Sequence, residues 1–400
     1  MKISRDYPQI TVTDKGAKYL EGHPWLYDGE VVEISGEHHN GDIVDVISRK
    51  GKYLGSGFVS DNSKIRVRIF CRNASDQIDR DFFRRRIEYA WKYRRDVMDD
   101  TDSCRVIFGE SDGLPGLTVD RYRDVLVTQI VSYGMERIKD DIFQSLLEVF
   151  AQEGIEINAL YERNDVAIRR LEGLEEYKDY YWRREGFDRR EVEITENGIR
   201  YIVDYIDGQK TGFFLDQRYN RLLVQQLARG KRVLDCFTHT GSFALNAAKG
   251  GAAKVTAVDI SESAIEMARR NAELNGLKIN FAVKDVFDYL EEIDRKAYDL
   301  IILDPPAFTK SRETVRNAYN GYKNINKQAI KKLGKGGYLV SCSCSHFMNR
   351  QLFEQMLQEA AREMNVELRQ VSFSQQSKDH PILMNVPETD YLKFYITQIV

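Results

Sequence analysis

The segment Ser341-Cys342-Ser343-Cys344-Ser345-His346-Phe347 places two cysteines and a histidine within five positions, directly after the apolar run Gly337-Tyr338-Leu339-Val340. Four chemistries fit such a stretch: a metal clip, a disulfide, a buried pair of small hydrophobes, or a nucleophile. A zinc site takes four ligands and usually C-x₂₋₄-C spacing, whereas this C-x-C with His346 offers three at most and no second cluster follows. A disulfide between residues i and i+2 is strained. Core packing suits Cys342, which falls inside the strand. The period of two along a strand then carries Cys344 beyond the pairing region and nearer a cleft. A thiol in a polar cleft close to helix N-termini can serve as a nucleophile.

The other candidate residues also stand at strand ends. From about residue 220 the chain alternates strand and helix. Strands are expected at Arg232–Cys236, Lys254–Val258, Ile279–Val283, Leu300–Asp304 and Tyr338–Cys342, and helices at segments such as 261–276. That rhythm predicts an α/β fold with a parallel, doubly wound, Rossmann-like sheet, which binds ligands outside the carboxyl ends of its strands. The first strand runs into Asp235-Cys236-Phe237-Thr238-His239-Thr240-Gly241, which is not the G-x-G-x-x-G dinucleotide fingerprint. Gly241 opens the next helix, whose N–H groups suit a carboxylate. Asp235, Thr238, Thr240 and Gly241 are therefore the expected cofactor loop. Asp259, closing the second strand, is placed to bind a ribose diol. Asp285 and Val286 follow the third strand, where an acceptor meets an adenine amino group. Asp304 precedes Pro305-Pro306, which stiffen the loop and aim its carboxylate into the site. A helix N-cap is the ordinary explanation for any one of these aspartates. In order along one sheet they describe S-adenosylmethionine.

The chain has 400 residues, 42% of them hydrophobic, and a net charge of −3. It is long enough for two or three domains. No run of about 18 apolar residues is present, and MKISRDYPQITVTD carries no apolar leader core, so neither a membrane span nor a signal peptide is expected. Five cysteines at irregular spacing argue for a reducing cytoplasm. The charge balance excludes a polycation, so a nucleic-acid partner needs local clusters. These exist at Arg84-Arg85-Arg86, Arg94-Arg95, Arg183-Arg184 and Arg189-Arg190, the last two beside Tyr180, Tyr181, Trp182 and Phe187. Solvated helix faces are the plainer explanation for any single cluster.

Residues 1–78 read as short strands, with alternating runs at 42–47, 53–59 and 65–70, and suit a small β-barrel. Residues 79–205 read as an α+β region. It has a helix with apolar positions Phe82, Ile87, Ala90, Trp91, Tyr93 and Val97, and a second helix from Glu136. Strands are expected at 117–120, 125–131 and 159–162, and an Asn-Gly hairpin within 191–206. Residues 206–400 hold the sheet described above and end in a strand, Tyr391–Ile399.

The chain resembles the bacterial large-subunit (23S) rRNA cytosine-5 methyltransferases over essentially its whole length. The match is carried by GQKTGFFLDQR (208–218) through Asn220-Arg221, LDCFTHTGSFAL (234–245), LDPPAF (303–308), GYKNINKQAI (321–330), SCSCSHF and DHPILMNVPETDYLK (379–393). The resemblance implies a PUA RNA-binding domain over 1–78, with Trp25 near its start, and an "EEHE"-like domain with connecting hairpin over 79–205. The methyltransferase domain would then span 206–400. It implies S-adenosylmethionine as cofactor, large-subunit rRNA as partner, a cytoplasmic location and no metal. RNA contacts are expected from Trp25, Arg183, Arg184 and Lys210, and a homodimer is left open. The family's nucleophile register, set here by Phe347-Met348, matches Cys344 and not Cys342. Pro306 stands where many other RNA cytosine-5 enzymes carry a second cysteine, so one cysteine serves attack and release.

The implied mechanism answers a chemical difficulty, since C5 of cytosine is a poor nucleophile. Addition of the Cys344 thiolate to C6 makes C5 enamine-like. Asp304 holds the N3/N4 edge, and His346 or water removes the C5 proton. Two other functions are weighed against this. One is a guanine-directed rRNA methyltransferase of the same superfamily, which needs no cysteine. The other is a catalytically silent RNA-binding assembly factor.

Overall fold

A computed structural model describes residues 6–308 and 312–400, with Arg312 by its backbone alone. Residues 1–5, the start of the segment read for a leader, lie outside the described residues. The chain forms two compact units. One contains residues 1–194, 203–215 and 378–389; the other contains 195–202, 216–377 and 390–400.

The first unit holds a six-stranded and a five-stranded sheet. The predicted alternating runs form the antiparallel strands Ile43–Ser48, Tyr53–Val59 and Ile65–Cys71. The short strands Gln9–Val12, Trp25–Tyr27 and Val31–Ser35, too brief to signal by periodicity, complete that sheet. The helix Arg80–Val97 starts at Asp79, whose carboxylate caps the Phe82 N–H at 2.9 Å. Its inner face is Phe82, Phe83, Ile87, Ala90 and Trp91. Tyr93 departs from the expected face and is 37% exposed. The position that stacks on Ala90, four residues on, is Arg94. Its buried guanidinium meets Asp112 at 2.5 and 2.8 Å. The helix expected from Glu136 divides at Ile138 into Tyr133–Arg137 and Lys139–Gln152. The aromatic stretch beside Arg183 is an edge strand, Lys178–Arg183, paired with Ala159–Arg163.

In the second unit the helix α1 (Arg218–Leu227) precedes an alternating series. The series runs β1 (Arg232–Cys236), α2 (Ser242–Lys249), β2 (Lys254–Asp259), α3 (Glu262–Leu274), β3 (Asn280–Val283) and α4 (Val286–Glu292). It continues with β4 (Leu300–Leu303), α5 (Val315–Lys332), β5 (Tyr338–Ser343), α6 (Arg350–Glu363), β6 (Leu368–Ser374) and β7 (Lys393–Ile399). The sheet order is β3-β2-β1-β4-β5-β7-β6. Strands β1 to β5 pair in parallel, as expected. The last two do not: β7 lies antiparallel to both β5 and β6. Apolar layers cover both faces, one built on Val224, Phe243 and Phe394, the other on Leu290, Ile325 and Ala360. Strand order reverses between β1 and β4, so the crevice where a doubly wound sheet takes ligands opens above the loops after these strands.

Candidate active site

The loop after β1 is held in an unusual backbone shape. Phe237, His239 and Gly241 all have positive φ, at 62°, 49° and 84°. For the two non-glycine residues this is a sparsely populated region, of the kind that clusters at ligand sites. Gly241 has a second requirement: a Cβ there would lie 2.9 Å from the Ala268 Cβ. Asp235 is buried beneath this loop. Its Oδ2 accepts from Thr238 Oγ1 at 2.5 Å and from the Ala244 N–H at 2.9 Å, while its buried Oδ1 has no partner among the described residues. Burial raises the Asp235 carboxyl to about 7, with Asp304 and Asp259 adding to the effect. The Thr240 carbonyl accepts from Asn271.

Asp259 closes β2 and accepts two backbone N–H groups. Oδ2 takes the His239 amide at 2.8 Å and Oδ1 takes the Ser261 amide at 2.9 Å. Each oxygen keeps a lone pair for a further donor. Asp285 Oδ1 caps α4 through the Phe287 and Asp288 amides, at 2.8 and 3.3 Å, so this aspartate performs the capping role. Val286, next to it, is buried.

Asp304 follows β4. Gln217 Nε2 donates to its Oδ2 at 3.1 Å, and Asn220 Nδ2 donates to Gln217 Oε1 at 2.6 Å. Tyr322, buried on α5, links two loops. Its hydroxyl oxygen accepts from Ser343 Oγ at 3.1 Å, and its ring packs on Phe308 with centroids 4.6 Å apart. The Asp-Pro-Pro loop and the end of β5 are thereby joined.

Strand β5 sorts the cysteines. In-register pairing of Leu303 with Ser341 brings Asp304 level with Cys342. Cys342 is fully buried, and burial, with the Asp304 carboxylate, pushes its thiol well up. Cys71, Cys104 and Cys236 are buried as well; Cys344 is half-exposed. One residue beyond it, the Ser345 carbonyl accepts from Lys393 Nζ at 2.5 Å. His346 stacks edge-on against Phe347 at 5.5 Å, and its Nδ1 has no hydrogen-bond partner among the described residues.

A family model described as S-adenosylmethionine-dependent methyltransferase matches residues 182–394, and a PUA-like domain model matches residues 10–72. The ribosomal RNA large subunit methyltransferase I of Aeromonas salmonicida is 40% identical over 386 residues, 94% of each chain. That of Klebsiella pneumoniae is 37% identical over 402 residues, 98% of this chain and 99% of the relative. The chain belongs to the ribosomal RNA large subunit methyltransferase I family. Among solved structures, a Streptococcus mutans protein described as a SAM-dependent methyltransferase has a TM-score of 0.81. It is 23% identical and covers 98% of this chain and 99% of its own. That likeness shows the shared fold.

S-adenosylmethionine is thus the cofactor, and the residues present fit it. The molecule carries an ammonium, a sulfonium and a carboxylate. Three mutually repelling carboxylates, Asp235, Asp259 and Asp304, suit the two cations, and one of them keeps a buried oxygen unpaired.

The residues expected to contact RNA all lie in the first unit and differ among themselves. Trp25 is held in place: its indole N–H donates to Glu110 at 2.8 Å and Arg68 lies 5.5 Å from its ring. Arg183 is exposed and sits 4.8 Å over the Tyr180 ring. Arg184 pairs with Glu156. Lys210 is exposed, with φ of 52°, its Nζ 4.4 Å over Phe214. Arg189 and Arg190 pair with Asp124 and Asp207. Ion pairing within the unit thus absorbs much of the cationic charge that the clusters offered.

Four residues that tie these loops together, Gln217, Asn220, Tyr322 and Lys393, lie within the quoted sequence blocks but have no expected site role there. A usable signal existed for the first two. Helix α1 carries Arg218, Asn220 and Arg221 on its buried side, and buried polar side chains need partners.

Proposed function

We propose that the protein forms 5-methylcytosine in large-subunit ribosomal RNA through a covalent bond from Cys344 to C6. The observation that carries this reading is the contrast between two cysteines. Cys342 is sealed in the sheet with a thiol that resists ionisation, whereas Cys344 is half-exposed and lies past the strand end. The family names of the relatives supply the substrate class, large-subunit ribosomal RNA.

The cofactor supplies an electrophilic methyl group. Cys344 Sγ bonds to C6 and the C5–C6 π pair moves to C5, where it takes that methyl. Asp304, oriented by Gln217, holds the N3/N4 edge of the base. Loss of the C5 proton returns the electron pair to the C5–C6 bond and expels the Cys344 thiolate. His346, with an unpartnered Nδ1, and water are the groups available to take that proton. The cytosine must leave its stack to reach these atoms. In this reading residues 1–78 are a PUA RNA-binding domain, 79–205 an EEHE-like domain and 206–400 the methyltransferase domain. Arg183, Arg184, Lys210 and Trp25 contribute phosphate and stacking contacts to a substrate held largely by shape.

The test is a trap with large-subunit rRNA containing 5-fluorocytidine, run on a denaturing gel with S-adenosylmethionine. Fluorine at C5 blocks elimination. A retarded band is expected for wild type and Cys342→Ser and not for Cys344→Ser. No band from wild type, while labelled methyl still enters unmodified rRNA, would overturn the thiol mechanism and favour the guanine-directed reaction. Cofactor binding with no methyl transfer to any rRNA would favour an assembly factor.

A further inference from the structure

Lys393 opens β7 and is the register partner of Ser343 across the antiparallel pair with β5. Its side chain is only 3% exposed. Burying an ammonium is costly unless hydrogen bonds and an opposite charge compensate. Two carbonyl oxygens answer the first need: Nζ donates to Ser345 at 2.5 Å and to Tyr391 at 2.7 Å. Two carbonyls alone would be served by a neutral donor. The chain places a cation there instead, one residue from a thiol. The ionisable groups that face the amine are Cys344 and Asp390, and burial outweighs both to bring the amine down to about 8. Nearby, the Asp304 and Asp235 carboxylates push the adjacent Cys342 thiol up, the Tyr322 phenol faces Cys344 as well, and the titratable His346 stands two residues on. An anion at Cys344 therefore needs a fixed cation beside it.

We propose that Lys393 is a positioning residue for Cys344: its ammonium, clamped by the Ser345 and Tyr391 carbonyls, pairs with the sulfur and keeps it as the thiolate. The inference rests on Cys344 as the nucleophile and adds what activates it. The thiol proton passes to water, the ammonium keeps its own, and the resulting pair has no net charge. A lysine or arginine neighbour is among the few features that lower a cysteine into the neutral range.

The full-length protein, without RNA or cofactor, is alkylated with iodoacetamide between pH 5 and 10, and modification at Cys344 is followed by peptide mass. The other four cysteines are buried and are expected to react slowly. The wild-type midpoint for Cys344 is expected at least about one pH unit below the ordinary thiol value of about 8.5. Lys393→Met is expected to raise it by more than about one unit, slowing alkylation at neutral pH by about tenfold. Lys393→Arg, which keeps the charge, restores the low midpoint. A wild-type midpoint at or above the ordinary thiol value overturns the proposal whatever the variants do. So does a Lys393→Met profile that coincides with wild type. The fluorocytidine trap separates the two ideas. A trapped adduct with an ordinary midpoint removes only the lysine's role, and a low midpoint with no adduct removes only the cytosine chemistry.

Discussion

Gln217 presents its amide N–H₂ to Asp304 Oδ2, and it does so because Asn220 holds the other end of the same amide. The flip of a glutamine is thereby fixed by its helix neighbour three residues on. A carboxylate that must meet one edge of a base gains orientation from such a chain. Gln217→Leu is expected to lower kcat by about 10²-fold, the scale of a misplaced catalytic group. Cofactor affinity should stay within about threefold. Single-turnover methylation and calorimetry check the split; an unchanged kcat removes Gln217 from the mechanism.

Tyr322→Phe deletes one oxygen and strands a buried donor, the Ser343 hydroxyl. The cost is expected at about 1–3 kcal/mol. Part of it should appear as a lower melting temperature and part as a lower kcat, because both loops that carry Asp304 and Cys344 lose their common tether. A melting curve and rate indistinguishable from wild type would show that the hydroxyl ties nothing together.

Asp235 predicts a pH dependence with a definite sign. Its folded carboxyl is raised to about 7 from an ordinary value of 3.8. Below the lower value both states bind the proton; between the two only the folded state does. Stability from this group is therefore present in acid and lost as pH rises through 7, by roughly 4 kcal/mol in all. On the expectation that Asp235 receives the cofactor ammonium, binding reverses the preference, since the ammonium needs the carboxylate. Affinity for S-adenosylmethionine is expected to fall up to about tenfold per unit as pH drops below 7, with proton release on binding. Calorimetry in two buffers of different ionisation enthalpy reads that proton directly, and equal heats in both would contradict the assignment.

Glu196 is buried between two arginines of α1. It takes Arg221 Nε and Nη2 at 2.6 and 2.8 Å and Arg218 Nε at 3.2 Å. Glu196→Ala leaves both guanidinium groups buried without their anion and is expected to cost about 3–5 kcal/mol in denaturant unfolding. Because α1 also carries Asn220 and follows Gln217, methylation should fall with it. A loss of less than about 1 kcal/mol would mean that water reaches the arginines.

The strands and helices that build the cofactor crevice were legible because their signals are local. Alternation of apolar runs with amphipathic segments gave β1 to β5 within a residue or two at each end, and the strand-end rule then singled out Asp235, Asp259 and Asp304. The direction of β7 was not legible. No local pattern says whether a terminal strand runs with its neighbours or against them. Lys393 was hidden for the same reason: it stands 50 residues from Ser343 and meets it only through that antiparallel register. The arginine clusters misled in the opposite way. Adjacent cations in sequence look like one surface, but on a helix Arg94 and Arg95 point about 100° apart, one into a buried pair with Asp112 and the other into an exposed pair with Glu153.

Strand β7 slots between β5 and β6, both of which precede it in the chain. Translation therefore delivers the middle of this half-sheet after its two flanks, and the flanks must wait for it. Until Lys393–Ile399 inserts, β6 has no strand to pair with and the corner beside Cys344 lacks its amine. Contacts of such long sequence separation form late. On the reading proposed above, the pairing of β7 with β5 is what sets the amine beside Cys344, so a chain whose β7 is unpaired keeps its cofactor-loop residues and carries an ordinary thiol.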